Sequence, residues 1–167
     1  MSRHFVAILM GSESDLPVMQ GANDVLASLG VHCEMKITSA HRTPAATQQY
    51  ISDAESRGCA VFIAGAGLAA HLAGAVAAHT LKPVIGVPID SGPMQGMDSL
   101  LSTVQMPAGI PVATVAIGKT GAKNAGYLAA QILALQDVDL AQRVRAERDQ
   151  KAASVQAQDR ALQDSRK

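Results

Sequence analysis

His41 and Arg42 stand side by side in "ITSAHRTPAA" (residues 37–46), where an apolar run gives way to Thr-Pro. An imidazole titrates near neutral pH, so His41 can give and take a proton. The Arg42 guanidinium is a permanent planar fork suited to phosphate. Ser39 adds a hydroxyl beside them. The plainer alternative has Arg42 in a surface ion pair and His41 as a solvated loop residue.

Two further stretches hold similar groups. In "GSESD" (11–15), Gly11 lets the backbone approach a ligand, Ser12 and Ser14 offer hydroxyls, and a following helix end favours an anion. Ser14 or Asp15 acting only as a helix cap is the alternative. "GAGLAAHLAG" (65–74) lacks a strict GxGxxG, because Ala70 occupies the third glycine place. It also follows a third strand, and no acidic residue stands about 20 positions on, which argues against a dinucleotide. Backbone N–H groups in this run suit a carboxylate or a CO2-sized group instead. His71 is either part of such a pocket or a packed histidine on an alanine-rich helix.

Other chemistries lack their residues. There is no GxxxxGK[ST], and Lys119-Thr120 in "GKTGAKN" lacks the upstream glycine spacing. No HExxH, cysteine cluster, paired histidine or GxSxG is present, so no metal is expected. Cys33 and Cys59 lie in apolar surroundings without CxxC spacing and read as structural thiols of a reducing compartment.

These loops must be carried by something. "HFVAILM" is a continuous apolar run ended by Gly11 and predicts a buried strand. Leu16, Met19, Ala22, Leu26 and Leu29 repeat at helical spacing up to Gly30. "VHCEMKI" predicts a weaker second strand. "TPAATQQYISDAESRG" predicts a helix with Thr43 as N-cap and Pro44 at its first position. "AVFIAGAG" and "PVIGVPI" predict further strands, with helix "LAAHLAGAVAAHT" between them. "GMDSLLSTVQM" predicts a short helix, "IPVATVAIG" a fifth strand and "GAKNAGYLAAQILALQ" another helix. From Val138, the residues Leu140, Val144, Ala152, Val155 and Leu162 form a loose helical stripe.

Strand–helix alternation with short loops predicts a parallel sheet covered on both faces. Five strands at this length predict an α/β protein of the three-layer α/β/α, flavodoxin-like, doubly wound class, plus a C-terminal helix. Such folds bind ligands at the carboxyl ends of strands, near the point where strand order reverses. The chemistry-bearing loops all follow strands, whereas "LG", "SRG" and "HTLKP" precede them and are plain. No repeat, linker or low-complexity segment interrupts the chain.

The 167 residues suffice for one domain with a real core. Fourteen basic and fourteen acidic side chains cancel, leaving no general field for nucleic acid or an anionic membrane. Aromatics are 2%, with no Trp, so no base-stacking platform exists. No apolar run reaches the roughly 20 residues of a membrane span. The N-terminus lacks signal-peptide features, and a cytoplasmic protein is expected. Residues 1–136 hold 15 of the 28 charged side chains and residues 137–167 hold 13. The division is therefore a charge-poor domain (1–136), with surface to be covered by other subunits, and a helical arm (137–167).

"MGSESD", "SAHRTP", "AGAGLAAHLAG", "GVPI", "GMDSLLSTVQMPAGIPV" and "AIGKTGAKNAG", in that order, resemble the class I N5-carboxyaminoimidazole ribonucleotide mutases of bacterial purine biosynthesis, in the AIR carboxylase catalytic-subunit family. The resemblance covers about residues 5–136. It implies conversion of N5-carboxyaminoimidazole ribonucleotide to 4-carboxy-5-aminoimidazole ribonucleotide by a homo-octamer, without ATP, metal or biotin. The carbamate would lose CO2, which stays trapped and is attacked by the imidazole carbon. By the same match His41 would be the general acid/base, and Ser39 and Arg42 would hold the 5′-phosphate. Ser12 and Asp15 would contact the nucleotide, Asp15 at the ribose. Gly65, Ala66, Gly67 and His71 would line the carboxyl pocket. The chain departs from the family at Leu68, usually glycine, at Ala73, usually proline, and at Gly92–Met94. A class II carboxylase using free CO2, and a mononucleotide-binding module without turnover, are the competing functions.

Overall fold

The computed structural model describes residues 4–166. Five parallel strands form one sheet: β1 (Phe5–Met10), β2 (Cys33–Ile37), β3 (Cys59–Gly67), β4 (Val84–Ile89) and β5 (Ala113–Thr114). Their order is β2-β1-β3-β4-β5, the doubly wound flavodoxin-like arrangement. The helices are α1 (Leu16–Ser28), α2 (Pro44–Ser56), α3 (Leu72–Ala77), α4 (Met97–Val104), α5 (Gly118–Ala134) and α6 (Val138–Asp164). A 3-10 turn over Glu13–Asp15 leads into α1.

The continuous apolar strands are explained by burial on both faces. Along β1 every residue is buried, and alternate side chains serve opposite cores. Val6, Ile8 and Met10 pack with Met19, Leu26, Ala125 and Ala129 of α1 and α5. Phe5, Ala7 and Leu9 pack with Ile51, Leu72 and Val76 of α2 and α3. The edge strand β2 has only one neighbour, and its residues are half-buried or exposed.

Two elements differ from the sequence expectation, and a third, the C-terminal helix, is found as expected. The fifth strand, expected over 110–118, is two residues long and pairs only Ile85 with Ala113 and Gly86 with Thr114. Pro111 lacks an N–H for the ladder, and an edge strand has a single partner to hold it. The third helix, expected from Leu68, begins at Leu72, with His71 at its N-cap. Leu68 has φ 55°, a left-handed conformation that costs a non-glycine residue roughly 1–2 kcal/mol and cannot continue a right-handed helix. The last helix is continuous for 27 residues. Its root is fixed: the Asp137 carboxylate accepts the Leu140 N–H at 2.9 Å, and Leu140 joins the α1–α5 core. The Tyr127 hydroxyl of α5 donates to Glu147, which pairs with Lys151 at 3.0 Å. From Arg148 to Arg166 every residue is exposed.

Register decides where the loops meet. Met10 stands level with Ile37 on one side and Gly65 on the other, and Gly67 is level with Ile89. The carboxyl ends of β1–β4 therefore finish together. Because β2 and β3 flank β1, the chain reverses its winding between β1 and β3, and the loops after these strands open a crevice there.

Candidate active site

A cleft of about 410 Å³ occupies that crevice, within the roughly 300–1,000 Å³ common for small-molecule sites. Four post-strand loops supply its walls. Ser12, Ser14 and Asp15 follow β1, while Ser39, His41 and Arg42 follow β2. Ala66, Gly67, Leu68 and His71 end or follow β3, and Ser91 follows β4. Two larger hollows, about 940 and 920 Å³, lie among pre-strand loops at the opposite sheet edge, around His79–Pro83 and around Gly30–His32. In an open α/β sheet the ligand-binding edge is the carboxyl one, and only the smaller cleft gathers hydroxyls, imidazoles and a free guanidinium there.

The loop after β2 is held from below. The buried Thr38 hydroxyl meets Thr47 Oγ1 at 2.7 Å. Thr43 precedes Pro44 at the start of α2, as the sequence predicts, but its hydroxyl does not bond a helix N–H. Instead Thr43 Oγ1 accepts the Ser39 N–H at 3.0 Å and donates to the Ser39 carbonyl at 3.1 Å. Ser39 Oγ accepts the Arg42 N–H at 3.1 Å, which leaves the Ser39 hydroxyl proton free to donate. Arg42 itself is exposed and takes part in none of the ion pairs among the described residues. The surface-ion-pair alternative for Arg42 therefore has no partner.

His41 meets His71 across the cleft. His41 Nε2 lies 2.7 Å from His71 Nδ1, with the rings edge-on at 81°. At that distance one nitrogen donates and the other accepts, so the two tautomers are tied. When the shared proton sits on His41 Nε2, His41 Nδ1 is a base; when it sits on His71 Nδ1, a neutral His41 carries its proton on Nδ1 and is an acid. Thirty residues separate the two rings in sequence, and His71 reaches this position because α3 starts one residue after it.

Asp15 is 6% exposed. Burial pushes its carboxyl above the ordinary carboxylate range, while N–H groups of Ser12 and Gly11 pull it back. Ser12 N–H donates to Asp15 Oδ2 at 3.1 Å, so the carboxylate does cap this turn. The Ser12 and Ser14 hydroxyls share a hydrogen bond at 2.5 Å. A raised acid pKa means that the folded state holds its proton more tightly than the unfolded state, so stability falls as pH rises through the carboxylate range. Asp15→Asn keeps an oxygen for the Ser12 N–H and removes the buried charge. Its melting temperature in the unliganded protein is expected to exceed that of the wild type at neutral pH, with the gap closing as pH falls through the carboxylate range. A thermal melt series checks this. A variant less stable than the wild type at neutral pH would contradict it.

Of the residues singled out in the sequence, Ser12, Asp15, Ser39, His41, Arg42, Ala66, Gly67 and His71 share this cleft. Gly65 does not line it. It is buried in β3, and a side chain there would run into the Met19 thioether from α1, with Met19 Cε at 2.9 Å. Ser91 and Leu68 line the cleft without having been singled out as site residues; their place directly after β4 and β3 is the signal that could have found them. Among the described residues no three His, Cys, Asp or Glu side chains gather as a metal site.

Comparison with known proteins identifies the family and the fold. The AIR carboxylase family model matches residues 5–154. A Vibrio parahaemolyticus protein named N5-carboxyaminoimidazole ribonucleotide mutase is 54% identical over 152 residues, covering 91% of this chain and 94% of its own. The Bacillus subtilis protein of that name is 55% identical over 150 residues, covering 90% and 93%. The Mycobacterium tuberculosis one is 52% identical over 158 residues, covering 95% and 90%. The crystal structure of Treponema denticola PurE superposes with a TM-score of 0.87 at 30% identity, over 95% of this chain and 98% of that one. With more than half the chain matched by the family model and relatives above 50% identity over most of its length, this chain belongs to the AIR carboxylase family.

Proposed function

We propose that the chain is an N5-carboxyaminoimidazole ribonucleotide mutase and that the post-strand cleft is where it works. The observation that carries this reading is the His41–His71 contact at 2.7 Å beside an unpartnered Arg42 and the Ser39 hydroxyl. Arg42 and Ser39 hold the 5′-phosphate. Ser12 and Asp15 take the nucleotide, Asp15 at the ribose hydroxyls. The carbamate N–C bond breaks, releasing CO2 while the nitrogen gains a proton. The imidazole carbon then attacks CO2, forming the new C–C bond, and loses its own proton. Protons gained and lost are equal, so one acid/base, His41, can serve both steps. Ala66, Gly67 and His71 surround the small carboxyl group; Gly65, behind them in β3, supports that wall. Holding CO2 against the carbon instead of releasing it is worth up to roughly 7–11 kcal/mol of barrier.

The protein acts as a homo-octamer in the cytoplasm. Met94, Met97, Leu101 and Val104 support subunit contact: each is 45–56% exposed, and they recur at spacings of three and four along α4 and its approach. Leu81, in the loop before β4, is wholly exposed as well. Among the described residues no helix is long and apolar enough to cross a membrane. Light scattering is expected to give eight times the chain mass, and a monomer would contradict the assembly.

The activity is tested by supplying the purified chain, without ATP, with the carbamate ribonucleotide or with aminoimidazole ribonucleotide and bicarbonate. Product from the carbamate is expected. Product from bicarbonate alone identifies a carboxylase, and binding without turnover identifies a non-catalytic module.

A further inference from the structure

The loops after β3 and β4 interlock at two consecutive positions. Gly67 has no room for a side chain: one there would overlap the Ser91 hydroxyl and lie 2.6 Å from Ser91 Cβ. At the next pair the roles reverse. Gly92 supplies the space, and Leu68 fills it, its Cδ2 falling 2.5 Å from where a Gly92 Cβ would stand. Leu68 reaches there only because its backbone is left-handed, φ 55°, a conformation that a leucine adopts when its surroundings over-determine it. The Ser102 hydroxyl of α4 ties down the same loop, accepting the Ala70 N–H at 3.1 Å while donating to the Asp98 carbonyl of its own helix at 2.7 Å. Leu68 is 51% exposed, yet it lines the cleft beside Gly67, Ser91 and His71. Its side chain is therefore part of the cleft's accessible lining, braced by Gly92.

We propose that Leu68 is the retaining wall of the carboxyl pocket, an apolar side chain keyed into Gly92 that keeps water out and CO2 in between the two half-reactions. The inference rests on the mutase reading. CO2 is small and uncharged, and its oxygens accept only weak hydrogen bonds, so backbone N–H groups orient it but an apolar side chain across its exit is what retains it. A gap in that wall has two chemical outcomes. CO2 escapes, leaving protonated nitrogen and free aminoimidazole ribonucleotide, or solvent CO2 enters and is captured by the carbon in its place. Neither needs a further reactant.

The test turns over unlabelled carbamate in [13C]bicarbonate buffer containing carbonic anhydrase, with an enzyme-free control for spontaneous breakdown. It reads the 13C fraction of the initial product carboxyl and the aminoimidazole ribonucleotide released per product. Both are ratios, and with the enzyme-free breakdown over the same time subtracted, slower turnover does not by itself raise them. Along Leu68→Met, Leu68→Val and Leu68→Ala the label fraction is expected to climb, reaching roughly tenfold the wild-type value at Ala, the scale on which an apolar pocket resolves missing methylenes. Gly92→Ala is expected to lower the melting temperature, and L68G/G92A to recover it, because the new methyl then has the leucine's space. A label fraction that stays flat from Met to Ala while turnover continues would overturn the wall. Absence of product from carbamate in the wild type would overturn the mutase reading and this inference with it.

Discussion

His41→Asn is expected to fold as the wild type does, to bind the nucleotide, and to lose about 10²–10⁴ of its turnover, the usual worth of a positioned acid/base. His41 is exposed, and its one side-chain hydrogen bond is to another exposed imidazole. Surface replacements of that kind usually change stability by about 0.5 kcal/mol or less. The amide keeps a polar group in reach of His71 but cannot titrate near neutral pH. Turnover should therefore fall through kcat, with KM moving little, because the phosphate anchors lie on other residues. Stopped assays with the carbamate, alongside a thermal melt, separate the two effects. Ordinary kcat in a folded variant removes His41 from the chemistry.

Arg42→Ala is expected to show the complementary pattern. The guanidinium has no ion-pair partner among the described residues, so removing it breaks nothing in the free protein and the melting temperature should hold. A charge-assisted hydrogen bond contributes about 1.5–3 kcal/mol, so KM should rise roughly 10- to 150-fold while kcat changes less. Arg42→Lys restores a charge without the planar fork and should recover only part of the loss. An unchanged KM in the alanine variant contradicts the phosphate assignment.

Much of the fold was legible because its signals are local. Buried parallel strands appear as unbroken apolar runs, and Gly30 and Thr43-Pro44 mark helix ends by their backbone chemistry. What was not legible depends on contacts across the sheet. The fifth strand reads as a largely apolar run of nine residues, yet an edge with Pro111 in it pairs only two. The start of the third helix was misplaced because Leu68, ordinarily a helix former, is forced into a left-handed turn by packing against a loop 24 residues away. That same turn brings His71 to His41. Sequence could place each histidine near the ligand edge but not the 2.7 Å between them. Gly65 shows the opposite error: its place in a glycine-rich run pointed to the pocket, whereas its missing side chain makes room for Met19 in the core.

The most direct measurement is a crystal structure of His41→Asn, which should bind without turnover, with 4-carboxy-5-aminoimidazole ribonucleotide. The expected result places the phosphate within hydrogen-bonding distance of the Arg42 guanidinium and the Ser39 hydroxyl, the ribose at Asp15, and the imidazole carboxylate between residue 41 and the Gly67–Leu68 wall. A nucleotide seated in either of the larger hollows at the opposite edge of the sheet would contradict the account.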